Sequence, residues 1–488
     1  MGTDTVRGFR SDFLWGGAIS ACQAEGAYDV DGRTLTFPDI VKRIRPEQRS
    51  TFSQAWITDK EIQEGKTGNI LDYPKRWGID FYHTYAEDIA LMAKMGFKVF
   101  RFSMAIARVY PHVDDMEPNE KALQYYDAVV RECRKWNMEP LVTMSHFDPP
   151  IEIWEKYGGF TNRKMIDYYF RYFKTLLDRY HNDVKYWLPF NEINCPLMAP
   201  FKGAGVCNDV GTDFENRVWQ AIHNQFVTAA KTVVYAHEHY PDLKLGCMVA
   251  YQPVYPYSCD PRDVLAADEY DRITNLLFLD VQGRGEYPYY AQPYFARHGI
   301  HLDIQPGETE LLKAGATDWV GFSYYMSSVM SYDTIGKITT GGNLKSGLKN
   351  PHLSSNEWGW QFDPDGLRHI TNQIYDRYRK PIFILENGMG KIEHITAEDT
   401  TIHDDYRAEY LTSHLKALKQ AVQDGCDVMG YTWWGPIDLI SSGTSEMSKR
   451  YGFIYVDQDE DGGGSKKRYI KDSFYVYQHI IETNGAEL

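Results

Sequence analysis

Strand-length apolar runs alternate with longer stretches of helical periodicity eight times along this chain, and that rhythm constrains the fold more than any other feature. The pattern predicts strands over Phe13–Ile19, Lys98–Met104, Pro140–His146 and Val184–Glu192 in the first half. Helices are expected between them over Asp80–Met95, Glu120–Trp136, Ile166–Tyr180 and Phe214–His239. In the first of these, Phe81, Tyr85, Ile89 and Met92 share one face. The second half predicts strands over Lys244–Tyr251, Trp319–Tyr325, Pro381–Glu386 and Val428–Trp434. Its helical material covers Arg262–Leu279, Glu308–Lys313, Gly366–Tyr378, Tyr406–Gln423 and Phe474–Ile481. Eight such rounds fit an α/β fold closed into a (β/α)8 TIM barrel better than an open doubly wound sheet. No GxGxxG or GxxxxGK[ST] stands at a strand-to-helix junction, which removes support for nucleotide-binding folds.

Length alone, 488 residues, would allow two or three domains, but barrels often exceed the usual size as one unit. No linker or low-complexity segment interrupts the rhythm, so a single domain over 1–488 is expected. The Gly- and Ser-rich stretches 341–346 and 461–465 read as loops. A net charge of −15 argues against general binding to nucleic acid or an anionic membrane, and an anionic substrate would need a local basic pocket. Seven scattered Cys without a CxxC fit a reduced compartment, and no apolar run approaches the ~20 residues that span a bilayer. Phe13 to Cys22 faintly resembles a signal segment after Arg7 and Arg10. Because it carries a site motif described below, a cytoplasmic location is expected instead.

Barrel enzymes carry their chemistry at the C-terminal ends of the strands. There this sequence places Gln23, Arg101, His146, Asn191-Glu192, Tyr325, Glu386-Asn387 and Trp434. A Glu that closes an apolar strand is costly unless it faces a polar cavity or pairs with an Arg, and here two do so, at strands four and seven. Two carboxylates across a pocket are what glycoside hydrolysis needs: one protonates the leaving oxygen, the other attacks the anomeric carbon or directs water to it. Spacing in sequence does not give their separation, so retention and inversion both stay open on the residues alone. The aromatic content of 15% fits sugar-stacking walls and ordinary packing equally well.

The segments FLWGGAISACQAEGA (13–27), RFSMAIARVYP (101–111), SHFDPP (145–150), FNE (190–192), GFSYYMS (321–327), EWGWQFDPDGLR (357–368), ILENGMG (384–390) and KRYGFIYVD (449–457), taken in this order, resemble glycoside hydrolase family 1. The likeness runs from Phe13 to about Asn484. It implies retaining chemistry, with Glu386 as nucleophile and Glu192 as acid/base. It further implies that Arg101 keeps Glu386 ionised, that Asn191 bonds the 2-hydroxyl, and that Tyr325 orients Glu386. Gln23 and His146 would hold the 3-hydroxyl and its neighbours, Trp434 would floor the glycone site, and Trp360 would flank the aglycone. No metal and no organic cofactor is implied.

The stretch PIDLISSGTSEMSKRYGFIYVD is similar to the 6-phospho-β-glucosidase branch of that family. Members acting on free glucosides usually carry a Glu nine residues before the aromatic of the KR[FY]G motif. Here that position is Ser442, which opens the site to an anion. The resemblance assigns the phosphate to Lys449 and Tyr451 with Ser442 and Gly443, the last standing where the branch usually has Ser. Other departures are Ser448 for a second Lys, Asp148-Pro149 for Glu-Met, Pro189 for Thr, and Trp433 beside Trp434. The expected partner is thus a phosphorylated disaccharide or aryl glucoside. A β-glucosidase for unphosphorylated sugars and a non-catalytic sugar-phosphate-binding protein stand as alternatives, and a homo-oligomer stays open.

Overall fold

Eight parallel strands pair with their sequence neighbours and close on themselves in a computed structural model that describes residues 8–48, 57–207, 212–340, 347–396 and 398–488. They are β1 (Leu14–Ala18), β2 (Val99–Ser103), β3 (Glu139–Ser145), β4 (Tyr186–Phe190), β5 (Lys244–Ala250), β6 (Trp319–Tyr324), β7 (Ile382–Asn387) and β8 (Val428–Trp434). Ladder bonds between β1 and both β8 and β2 complete the barrel. The eight expected strands are all present and differ only at their ends. The expected loop at 341–346 lies outside the described residues, while 461–465 is turn and bend.

Alternation along the strands explains the closure. Val99, Leu141, Leu188, Met248, Trp319, Phe383, Leu385 and Met429 form one cluster inside the barrel, while the other faces pack against helices in the main core. Gly246 makes room for the Trp319 indole, since a Cβ there would lie 2.3 Å from the ring. The outer helices are α1 (Phe81–Lys94), α2 (Glu120–Lys135), α3 (Lys164–Tyr180), α4 (Phe214–His239), α5 (Leu277–Arg284), α6 (Pro364–Tyr378), α7 (Asp405–Gln423) and α8 (Asp472–Glu482). α3 shows the logic: Met165, Tyr169, Phe173, Leu176 and Tyr180 recur every three or four residues and are buried.

The fifth crossover departs from expectation. Helix Pro261–Asp271 runs through a π turn, Arg272–Leu276, into α5, where the sequence predicts one helix over 262–279. Inside the turn Asn275 donates to Gln252 O at 3.1 Å and to Asp271 Oδ1 at 2.7 Å, so buried polar side chains interrupt the apolar stripe. Two further helices of eight or more residues, Asp59–Thr67 and Ala291–His298, were not expected. The first carries a readable signal, a capping box between Thr58 and Glu61.

After β8 the chain builds one wall of the barrel mouth, and a buried ion network pins it. Asp438 Oδ1 accepts from Gly452 N at 2.8 Å and from Lys471 Nζ at 3.0 Å. Lys471 also pairs with Glu393, and Arg407 bridges Glu393, Asp404 and the Tyr451 carbonyl. Among the described residues no helix is long and apolar enough to cross a membrane.

Candidate active site

Glu386 should point out of the barrel, because its neighbour Leu385 belongs to the interior cluster and side chains alternate. A register shift between Ile384 and Glu386 against β6 resolves this: Ile384 pairs with Phe322 and Glu386 with Ser323, leaving Leu385 as the extra residue. The bulge turns Glu386 inward as well. Its Oε1 accepts from Arg101 Nη1 at 2.6 Å and its Oε2 from Tyr325 OH at 2.7 Å. Both oxygens are therefore fixed by charge-assisted or phenolic donors.

Arg101 is fully buried on β2 and ties several site residues together. Beyond Glu386 it donates to Asn191 Oδ1 at 2.5 Å, to Thr143 Oγ1 at 3.0 Å and to Leu385 O at 3.3 Å. With its oxygen held by Arg101, Asn191 has its Nδ2 aimed elsewhere and without a protein partner, and His146 Nδ1 and Trp360 Nε1 are without one too. Buried polar atoms without partners cost free energy, so a polar ligand beside them is favoured.

Glu192 follows β4 at φ +37°, a conformation that side chains other than Gly rarely adopt. Ser323 Oγ donates to its Oε1 at 2.5 Å. Burial, reinforced by the Glu386 charge, pushes the Glu192 carboxyl up to about 7, against the opposing effects of the Ser323 hydrogen bond and of Lys202 and Arg101. The two carboxyls share one cavity. His146 Nε2 lies 4.0 Å from Glu386 Oε1, but burial and the nearby Arg101 hold its pKa well below the usual range, so the imidazole is neutral.

The cavity joins most of the expected residues: His146, Asn191, Glu192, Tyr325, Trp360, Glu386, Trp434, Ser442, Gly443 and Tyr451 all line it. Three expected residues stand behind that lining. Arg101 acts through Glu386 and Asn191. Gln23 is buried, donating its amide to Ile440 O at 2.7 Å and accepting from Ser20 at 2.8 Å, so its side chain braces the β8 wall. Lys449 is enclosed by aromatic rings, its Nζ 4.1 Å from the Trp360 centroid and 4.9 Å from Trp358. Ser323 and Lys202 are among the lining residues that had not been singled out. Ser323 could have been found, because it sits in GFSYYMS at the end of a barrel strand. Lys202, on the short helix Pro200–Ala204, carries no pattern of its own. Among the described residues no group of three or more His, Cys, Asp or Glu is arranged to hold a metal ion.

A parallel eight-stranded barrel with two carboxyls in one cavity at its C-terminal mouth, one held by an Arg and a Tyr and the other buried beside Ser323, defines a two-carboxylate barrel of the glycosidase class. The model of glycosyl hydrolase family 1 matches residues 5–486, and the chain belongs to that family. It is 48% identical to the aryl-phospho-β-D-glucosidase BglH of Bacillus subtilis, over 98% of each chain. It is 45% identical to the phospho-cellobiase of Klebsiella oxytoca, over 99% of this chain and 100% of that one. Among solved structures, the β-glucosidase of Thermotoga maritima in complex with glucoimidazole superposes with a TM-score of 0.81 at 26% identity, covering 99% of this chain and all of the other.

Proposed function

We propose that this chain is a cytoplasmic, single-domain retaining glycosidase that hydrolyses 6-phospho-β-glucosides such as phosphorylated cellobiose or aryl glucosides. The observation that carries the mechanism is the paired state of the carboxyls: Glu386 is held by Arg101 and Tyr325, while Glu192 is pushed up to about 7. The Glu386 carboxylate attacks the anomeric carbon as the bond to the leaving oxygen breaks, and Glu192 delivers its proton to that oxygen. Glu386 is then an ester and has lost its charge, so the Glu192 pKa falls. As carboxylate, Glu192 takes a proton from water; the water oxygen bonds to the anomeric carbon and the Glu386–carbon bond breaks. Asn191 Nδ2, without a protein partner, is placed to donate to a sugar hydroxyl.

Two observations support the phosphorylated substrate. The full-length relatives named above act, by their names, on phosphoglucosides. The cavity wall has the neutral Ser442 and Gly443, with Lys202 in the lining. The rival reading, a β-glucosidase for free sugars, draws on the similarity to β-glucosidase structures at 26% identity. Glu386→Ala tests the mechanism. Turnover should be lost, and azide should restore it by forming a glycosyl azide of inverted configuration. Full activity without azide would remove Glu386 as nucleophile.

A further inference from the structure

Lys202 brings a charge into the catalytic cavity that takes part in neither the attack nor the proton transfers. It lines that cavity beside Ser442, Gly443 and Tyr451, and its ammonium donates to Ser442 Oγ at 2.7 Å. Its Nζ stands 4.7 Å from the centroid of the Phe147 ring, another wall residue. Among the described residues no carboxylate forms an ion pair with it.

Lys202 is one of several cations gathered on this wall. Lys75 is buried behind it and donates to Ser445 Oγ at 2.7 Å. Lys75 and Lys202 line a small, mainly apolar cavity with Phe37, Phe201 and Ser442. Burial first, and the Lys202 charge second, lower the Lys75 ammonium to about 7. Lys449 adds a third ammonium, 5.7 Å from the centroid of the Tyr451 ring. Lys75 and Lys202 thus hold Ser445 and Ser442, while Lys449 stands by Tyr451, whose hydroxyl lies 3.3 Å from Ser441 Oγ. Gathering like charges beside a cavity raises the free energy of the empty site, and an anion placed among them recovers it.

We propose that Lys202, on the segment after β4, is a ligand of the substrate's 6-phosphate, clamping it against Ser442, Lys449 and Tyr451 on the segment after β8. The inference rests on the phosphoglucosidase reading above. It gives the site a side-chain donor beside Gly443, which has none. The short helix Pro200–Ala204 thereby becomes a specificity element, because it joins the phosphate end of the cavity to the chain that carries Glu192.

The test is the ratio of kcat/KM for p-nitrophenyl β-glucoside 6-phosphate to that for p-nitrophenyl β-glucoside, measured for wild type, Lys202→Met and Lys202→Arg. A charge-assisted hydrogen bond to phosphate is worth about 10- to 150-fold, so the ratio should fall by that factor in Lys202→Met. Lys202→Arg, which keeps the cation, should retain most of the ratio. Inorganic phosphate should inhibit the Met variant more weakly than wild type. A Met variant with the wild-type ratio would overturn the role of Lys202 and leave the phosphoglucosidase reading standing. Equal loss in the Met and Arg variants would overturn the ionic role in favour of a steric one. A wild-type enzyme without preference for the phosphate would sink the reading and this inference with it.

Discussion

Glu192→Gln removes the proton donor while keeping the shape of the side chain and its contact with Ser323. Burial and the Glu386 charge place the Glu192 carboxyl at about 7, where a general acid is about half protonated and acidic enough to work near neutrality. General acid catalysis contributes about 10²- to 10⁴-fold, or about 2.7–5.5 kcal/mol of barrier. That contribution scales with how badly the leaving oxygen needs a proton. For the phosphorylated disaccharide, whose leaving group is a poorly acidic alcohol, kcat/KM should fall by the full ~10²- to 10⁴-fold. For a 2,4-dinitrophenyl glycoside, whose phenolate leaves unaided, the fall should stay below about tenfold. The pH profile supplies the second reading. In wild type kcat/KM should decline as pH rises through about 7, because the acid form is lost, and in Glu192→Gln that limb should disappear. Equal losses with both leaving groups, together with a surviving limb near 7, would refute the acid assignment.

Ser323→Ala removes a hydrogen bond that stabilises the charged form of Glu192, so its pKa should rise and the alkaline limb of kcat/KM should move to higher pH. A limb that stayed in place or moved down would contradict that geometry. Arg407→Met leaves buried Glu393 and Asp404 without a shared cation, a loss of about 3–5 kcal/mol, and should lower the thermal midpoint and loosen the wall carrying Tyr451. A midpoint within about 1 °C of wild type would show that the network does not anchor the wall.

Most of the barrel was legible because each strand repeats the same physical problem, an apolar run buried on both faces between helices that need an apolar stripe. The π turn at Arg272–Leu276 was not legible, because it depends on where the Asn275 side chain finds its acceptors. Glu192 and Glu386 stood out as acids closing apolar strands. What the sequence could not display is the bulge at Leu385, which lets two successive residues face inward. Nor could it display partners brought together from distant segments. Ser323 meets Glu192 across 131 positions, and Lys202 meets Ser442 across 240. Gln23 sits on an expected site motif, and its amide also donates to the Ile440 carbonyl, a contact fixed only when the chain after β8 folds over β1.

The substrate claim is tested most directly by kcat/KM of the wild-type enzyme on a chromogenic β-glucoside and on its 6-phosphate under identical conditions. The account predicts a preference for the phosphate of ~100-fold or more, about 2.7 kcal/mol of transition-state binding. A preference for the free glucoside would contradict it, leaving the two-carboxylate chemistry of Glu192 and Glu386 to serve an unphosphorylated sugar.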